Sequence, residues 1–387
     1  MIPFNKPYLS GKEMEYMRQA VLSGKISCNG EFTKGCESFF EKKYGFKRAL
    51  LTTSCTHALE MAALLLGLKE GDEVILPSFA YVSDANAFAL RGATLVFADS
   101  NPTNPNIDAN NLEKLITPRT KAILVIHYAG VACEMDTIMS IAEKHKLFVI
   151  EDAAHSIDAF YKQKPLGGIG HLAVFSFHET KNIISGEGGM LVVNDDRFLE
   201  HAEVLREKGT NRQAFLRDQV NKYEWVDLGS SWMPSELTAA YLAGQLENLE
   251  QIQKKRMTTW LQYKELLSGL NAQGIQVCES PVWAAHNAHI FHLVCRTAEE
   301  RDQLIAHLKQ QDILAVFHYQ PLHKSPYFLN TKSDVLSLPN AERYAECLVR
   351  LPLYFELEPQ DVKHICTQVL DFYRGIEPAH VKKNSGA

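Results

Sequence analysis

Residues 172–189 read Leu172-Ala-Val-Phe-Ser-Phe-His-Glu-Thr-Lys181-Asn-Ile-Ile-Ser-Gly-Glu-Gly-Gly189. The apolar run predicts a buried strand, and its end carries a hydroxyl, an imidazole, a carboxylate and an amine in close succession. Glycines follow, which let one backbone approach another, before a further apolar run opens at Met190. A lysine taken at random lies on a surface. This one leaves a buried strand and precedes paired glycines. Upstream, Leu147-Phe-Val-Ile-Glu-Asp152 repeats the pattern, with a carboxylate at the carboxyl end of an apolar run, where open parallel sheets bind ligands. Taken alone, that aspartate could equally be a cap or a turn residue. Further short runs at Ala49–Thr53, Glu73–Leu76, Thr94–Ala98 and Ala122–His127 alternate with helical spacing over Thr56–Leu68, Ser83–Arg91 and Met135–Lys146. This is the pattern of an α/β protein with a large doubly wound, mostly parallel sheet. It predicts a large domain over 1–245, including the N-terminal segment, and a smaller α+β domain over 246–376. The second is read from a polar helix Leu246–Leu267, a strand His289–Cys295 and a helix Ala298–Gln310. Residues 377–387 have little to bury and are expected to fray.

With 387 residues, 46% hydrophobic and 22% charged, the chain is neither disordered nor a disulfide scaffold. Its 40 Lys+Arg against 46 Asp+Glu give a net charge of −6, which supplies no general attraction to nucleic acid or to an anionic membrane. The N-terminus lacks the pattern of a leader and no long apolar run occurs, so a cytoplasmic protein acting on small molecules is expected. The eight cysteines contain no C-x-x-C pair and read as reduced thiols. Gly168-Ile-Gly170 and Gly186-Glu-Gly188 lack the third glycine of a dinucleotide fingerprint, and neither Gly11-Lys12 nor Gly24-Lys25 is followed by Ser or Thr. Asn182 stands where a zinc-protease motif beginning at His178-Glu179 needs its second histidine. His286, His289 and His292 have no carboxylate or thiolate completing a ligand set, so no metal is expected.

What survives is one constellation. Ser54-Cys55-Thr56 lies between a strand and a helix, where free N–H groups and the helix terminus can hold a phosphate. An ordinary N-cap explains the same residues equally well. Joined to Asp152 and Lys181, however, the three sites are the handles of pyridoxal phosphate: a phosphate cradle, a partner for the ring nitrogen and an amine for the aldehyde. Tyr81, at another strand exit, is placed to stack on the ring.

These residues resemble the pyridoxal-phosphate-dependent sugar aminotransferases of the DegT/DnrJ/StrS type. The resemblance is carried by Pro3-Phe4-Asn5, Gly71-Asp-Glu-Val-Ile-Leu-Pro-Ser78, Glu151-Asp-Ala-Ala-His155, Phe175–Asn182, Gly186-Glu-Gly-Gly189 and Phe317-His-Tyr-Gln-Pro-Leu-His323. It implies the fold-type-I, aspartate-aminotransferase-like architecture and a homodimer with shared active sites. Carried over, Lys181 bonds the cofactor and shuttles protons, Asp152 holds the ring nitrogen and His155, where many members have Gln, lies beside the ring. Ser54, Cys55, Thr56 and Ser176 surround the phosphate, and Tyr81 stacks. Gly229-Ser-Ser-Trp-Met233 replaces a common G-Y-N-Y-R, so Ser230 and Ser231 enter as cofactor contacts, Ser231 in place of an Asn that reaches the partner's phosphate. For the substrate, Arg212, His289, His318, Tyr319 and His323 are candidates, because a sugar diphosphate needs cations and donors.

His127-Tyr-Ala-Gly-Val-Ala-Cys-Glu-Met-Asp136, Arg206–Arg212 and Ala315–Tyr319 resemble members acting at C4 of dTDP-4-dehydro-6-deoxy-D-glucose. There, L-glutamate supplies the amine through pyridoxamine phosphate, and the product is a 4-amino-4,6-dideoxy-D-galactose for enterobacterial common antigen or O-antigen. The alternatives are the gluco epimer, a non-catalytic nucleotide-sugar sensor, and a 3-dehydratase. The dehydratases carry histidine at the lysine position, and Lys181 is intact.

Overall fold

The computed structural model describes residues 1–331 and 336–375; the expected fraying of 377–387 lies outside them. In chain order the strands are β1 (Arg48–Thr52), β2 (Glu73–Pro77), β3 (Thr94–Ala98), β4 (Thr120–Ile126), β5 (Phe148–Asp152), β6 (Phe160–Tyr161), β7 (Lys164–Pro165), β8 (Leu172–Ser176), β9 (Gly189–Val193), β10 (Gln276–Val277), β11 (Ala284–Ala285), β12 (Phe291–Val294) and β13 (Leu348–Leu351). Seven of them form the main sheet in the order β1-β9-β8-β5-β4-β2-β3. Only β9 runs antiparallel to its neighbours, β1 and β8. All seven are the strands anticipated from sequence, within two residues at each end.

The sheet is covered on both faces, which is why Val74–Pro77 of β2 and Ala122–Ile126 of β4 are apolar without interruption. Alternation still sorts their side chains. Leu76, Leu124, Ile150 and Val174 pack on one face with helix Cys55–Leu65, while Ile75, Ile123, Val125 and Val149 pack on the other with helix Met135–His145. That second helix stops at Lys146, which adopts φ 56° and closes its last turn.

A separate antiparallel sheet, β10-β12-β13, backs onto helices Leu249–Leu267, Ala298–Gln310 and Pro359–Gly375. The first residues of the chain bond to the segment leading into this second unit: Ile2 N–H donates to Asp312 O (2.7 Å), and Leu314 N–H to Ile2 O (3.0 Å). Ile2 forms a β-bridge with Ile313. The N-terminal segment therefore lies across the second sheet and brings Phe4 and Asn5 to the site described next.

Parallel pairing brings the carboxyl ends of β2, β4, β5 and β8 to one edge of the main sheet. Thr52 and Ser176 both pair with Gly189, so the ends of β1 and β8 flank the start of β9. A Cβ at Gly189 would lie 2.3 Å from the Ser54 carbonyl carbon and 2.4 Å from Cys55 N, so only glycine allows the loop after β1 to close against the sheet.

Candidate active site

At that edge lies a cavity of about 720 Å³. Helix Cys55–Leu65 begins on its rim. Ser54 caps the helix by accepting from His57 N–H (3.1 Å), which leaves the N–H groups of Cys55 and Thr56 at an uncompensated helix terminus. Thr56 Oγ1 meets Ser83 Oγ at 2.8 Å, tying this turn to the helix that follows Tyr81. On the floor, Asp152 ends β5 with Oδ1 accepting from Ala154 N–H (2.7 Å). Lys181 enters from a turn closed by its own N–H to His178 O (2.9 Å). Burial lowers the Lys181 pKa and Asp152 opposes that shift; the net direction is down, toward an amine that can be neutral when it needs to take a proton.

The wall facing Lys181 is built of imidazoles and phenols. Asn182 donates through Nδ2 to Gln253 Oε1 and Asn287 O (2.9 Å each), which turns its oxygen to His289 Nδ1 at 2.8 Å. His289 must then carry its proton on Nδ1 and presents Nε2 as an acceptor. His155 has the opposite tautomer, since Ala129 N–H donates to its Nδ1 (3.3 Å). Its Nε2–H points toward Tyr319 Oη at 3.4 Å. The two rings lie 4.4 Å apart. Tyr128, whose phenol burial keeps protonated, donates to His318 Nδ1 at 2.6 Å, and His318 stacks on Tyr319 at 3.7 Å. Burial pushes the pKa of His155, His289 and His318 well below the usual histidine value, so all three are neutral.

Behind the floor, Glu151 is wholly buried. Its Oε2 accepts from His127 Nε2 and Gly167 N–H (2.9 Å each), and its Oε1 from the N–H groups of Ile169 and Gly170. Burial by itself would lower the His127 pKa, while Cys133 and Glu151 raise it. The net direction is up, but the backbone N–H of Cys133 on Nδ1 (3.1 Å) bars the second proton, because a nitrogen accepting that bond has no room for one. His127 is the neutral Nε2–H tautomer, and the Glu151 carboxylate holds the residue beside Asp152 in place.

The cavity brings together Ser54, Cys55, Thr56, Tyr81, Asp152, His155, Ser176, Lys181, His289, His318 and Tyr319 from the sequence reading. Four residues fall outside its lining. His323 is a structural residue, 2% exposed, with Nδ1 on Ser78 Oγ (2.6 Å) and Nε2 on Glu342 (3.1 Å), so neither nitrogen is left for a substrate. Arg212 is half exposed and bonds Glu207 through Nη1 (2.7 Å), outside this cavity. Ser230 and Ser231 sit on an exposed strip pinned by Lys208 N–H to Ser230 O (3.0 Å) and by a bridge between Glu207 and Ser231, so within one chain they touch no cofactor site. The three histidines weighed as a metal site also separate: His286 packs on Trp260, His289 bonds Asn182 and His292 lies against Tyr128.

Sequence reasoning missed Asp84, Arg256 and Arg350, which also line the cavity. Asp84 stands three places after Tyr81, in the first turn of the helix Val82–Ala89 that Tyr81 precedes. Its Oδ1 is buried without a hydrogen-bond partner, and burial, then the charge of Asp152, raises its pKa well above the carboxylate range. Cys55 is likewise pushed up by burial, which makes its thiol a packing group rather than a nucleophile.

The match to known proteins follows this geometry. Residues 7–370 fit the model of the DegT/DnrJ/EryC1/StrS aminotransferase family. The chain belongs to that family. Spore coat polysaccharide biosynthesis protein SpsC of Bacillus subtilis is 33% identical over 97% of this chain and 98% of its own length. Among solved structures, the aminotransferase TlmJ of Streptoalloteichus hindustanus superposes with a TM-score of 0.89 at 28% identity, covering 97% of this chain and 99% of that one. Helicobacter pylori PseC, an aminotransferase involved in the biosynthesis of pseudoaminic acid, gives 0.86 at 25%, covering 97% and 100%.

The protein is thus a pyridoxal-phosphate-dependent sugar aminotransferase of the aspartate-aminotransferase-like fold. Its residues fit the cofactor: Oδ1 of the Asp84 carboxyl, beside Asp152, is buried without a partner, the Ser54–Thr56 turn offers N–H donors to a phosphate, and Lys181 has no ion-pair partner among the described residues. No helix among the described residues is long and apolar enough to cross a membrane.

Proposed function

We propose that this enzyme moves the amino group of L-glutamate to C4 of dTDP-4-dehydro-6-deoxy-D-glucose. The product is dTDP-4-amino-4,6-dideoxy-D-galactose, for surface-polysaccharide biosynthesis of the enterobacterial common antigen or O-antigen kind. The observation that carries the reading is the convergence of Lys181, Asp152 and the Ser54–Thr56 turn in one cavity beneath a wall of neutral imidazoles. The name of the spore coat relative supports the polysaccharide assignment. A homodimer working in the cytoplasm completes the proposal: the strip holding Arg212, Ser230 and Ser231 serves the partner's cavity instead of its own.

Pyridoxal phosphate, when bound, carries the amino group and draws electrons from the reacting carbon. The chain's own residues do the rest. Ser54, Cys55, Thr56 and Ser176 would hold the phosphate, Asp152 would keep the ring nitrogen protonated, and Tyr81 would stack on the ring. His155, whose Nε2–H is turned to Tyr319 Oη because Ala129 N–H holds its other nitrogen, would lie beside the ring. Lys181, with its pKa lowered by burial, takes the proton from Cα of glutamate and later delivers one to C4 of the sugar. The face from which it delivers sets the configuration.

The test is incubation of the loaded enzyme with L-glutamate and the dTDP-ketosugar, followed by NMR of the product. An equatorial H4 with small couplings supports the galacto sugar. An axial H4 with large couplings would make the enzyme the gluco epimer's transaminase, and no glutamate-dependent conversion of the cofactor would make it a sensor.

A further inference from the structure

Asp84 is 2% exposed and lines the same cavity as Asp152 and Lys181. Elsewhere in the chain buried carboxylates are satisfied: Glu73, Glu203 and Glu207 pair with arginines, and Glu236 takes the N–H groups of Gly30, Phe32 and Thr33. Asp84 has no ion-pair partner among the described residues, and its Oδ1 is buried without a hydrogen bond. What it meets instead is a second carboxyl, Asp152, within hydrogen-bonding reach. The other titratable groups whose charge reaches it are Lys181, Cys55 and Tyr319. Burial keeps the thiol and the phenol neutral and moves the Lys181 amine in the same direction, so none of them neutralises the pair.

Two carboxyl groups in contact inside a low-dielectric pocket do not both ionise near neutral pH; they share one proton. The hydrogen bonds say which of them keeps it. Asp152 Oδ1 accepts from Ala154 N–H (2.7 Å), a bond that favours an anion, whereas Asp84 Oδ1 accepts nothing. The first turn of a helix and the Tyr81 backbone both favour an anion at Asp84, but burial, and after it the charge of Asp152, outweigh them. The proton therefore belongs to Asp84 and the charge to Asp152.

We propose that Asp84 is a positioning residue for the cofactor: its carboxyl O–H donates to Asp152 and keeps Asp152 the anion that the ring nitrogen needs. A buried carboxylate with a single N–H donor either rotates or takes up a proton of its own, and each loosens its hold on a protonated ring nitrogen. A neutral donor beside it prevents both. A lysine or arginine in the same place would bring a positive charge that competes with the ring for Asp152. The inference needs the cofactor and no particular sugar.

Two measurements decide, both at about pH 7.5, where an ordinary aspartate is ionised. In the first, the infrared difference spectrum of loaded wild type against loaded Asp84→Asn should contain the carbonyl band of a protonated carboxylic acid, shifted in deuterated water. A spectrum with carboxylate bands alone overturns the proposal. In the second, the cofactor-free proteins are titrated with pyridoxal phosphate and followed by visible absorbance. Asp84→Ala should bind it about 10-fold more weakly, the loss of a hydrogen bond to a charged group, while Asp84→Asn, which still donates, should stay within about threefold of wild type. Wild-type affinity in Asp84→Ala shows the hydrogen to be dispensable, and an Asn variant as weak as the Ala variant shows that charge and not donation matters; either result overturns the proposal. The infrared band needs only the Asn variant, so it stands even if Asp84→Ala does not fold. Failure of the enzyme to convert glutamate or the ketosugar would sink the proposed reaction and leave both readouts as they are, so the two failures are separable.

Discussion

Replacing Glu151 by Gln tests whether the floor of the site is held by one buried carboxylate. Its two oxygens each receive two hydrogen bonds, from His127 and Gly167 on one side and from Ile169 and Gly170 on the other. An amide keeps a single oxygen. Whichever way it turns, its NH2 confronts two donors that have no other acceptor, and at about 1–3 kcal/mol for each orphaned buried donor the cost is about 2–6 kcal/mol. His127 cannot escape by switching tautomer, because Cys133 N–H occupies Nδ1. With an unfolding entropy of roughly 0.8 kcal/mol per kelvin for a chain of this length, Tm should fall by about 3–7 °C. The loss should depend on pH. Burial raises the Glu151 pKa, but the His127 and backbone bonds outweigh it and the net direction is down. A carboxylate depressed in the folded state stabilises above its unfolded pKa and ceases to as pH falls through the folded value. The gap between wild type and variant should thus be full at pH 6–7 and shrink below about pH 4.5. Differential scanning calorimetry of the two proteins across that range measures it. A variant within 1 °C of wild type at pH 7 (about 0.8 kcal/mol) would refute the reasoning.

Three further outcomes follow from the site. Lys181→Ala should lose the visible absorbance of lysine-bound cofactor together with turnover, and a variant retaining both would displace Lys181 from its role. Asp152→Asn should still take up cofactor but turn over about 100-fold more slowly or worse, since an amide cannot hold the ring nitrogen protonated; single-turnover kinetics with glutamate would reveal an unaffected rate, and with it an error. Asp84→Asn should stabilise the cofactor-free protein at pH 7–8. The folded state retains a proton on Asp84 that the unfolded chain gives up above about pH 4, so wild-type stability declines with rising pH while the amide escapes the penalty. A Tm at pH 8 no higher than that of wild type would contradict this.

Much of the site could be read directly because each main group ends a local element. Asp152 closes β5, Lys181 follows β8, and Ser54 caps the helix after β1, so apolar runs and turn residues announced all three. The same locality explains why the seven strands of the main sheet were found, whereas two-residue strands such as β10 and β11 were not: they are too short to show a period.

Longer-range roles were not legible. His323 follows a family-like run, yet its partners Ser78 and Glu342 turn it into a brace. Arg212 offered a cation, but its bond to Glu207 holds it on a strip outside the cavity of its own chain. Arg350 gave the reverse case, an arginine inside a strand whose lack of an acidic partner shows only after β13, Phe317 and Phe4 have come together. The tautomers of His155 and His289 likewise depend on Ala129 and Asn182. The sequence by itself determined which strands form and which chemical groups stand at their ends, because periodicity and capping act over a few residues. Tertiary structure decided which of those groups remain unpaired and face the cavity, because hydrogen-bond and ion-pair partners are assigned by packing between segments far apart in the chain.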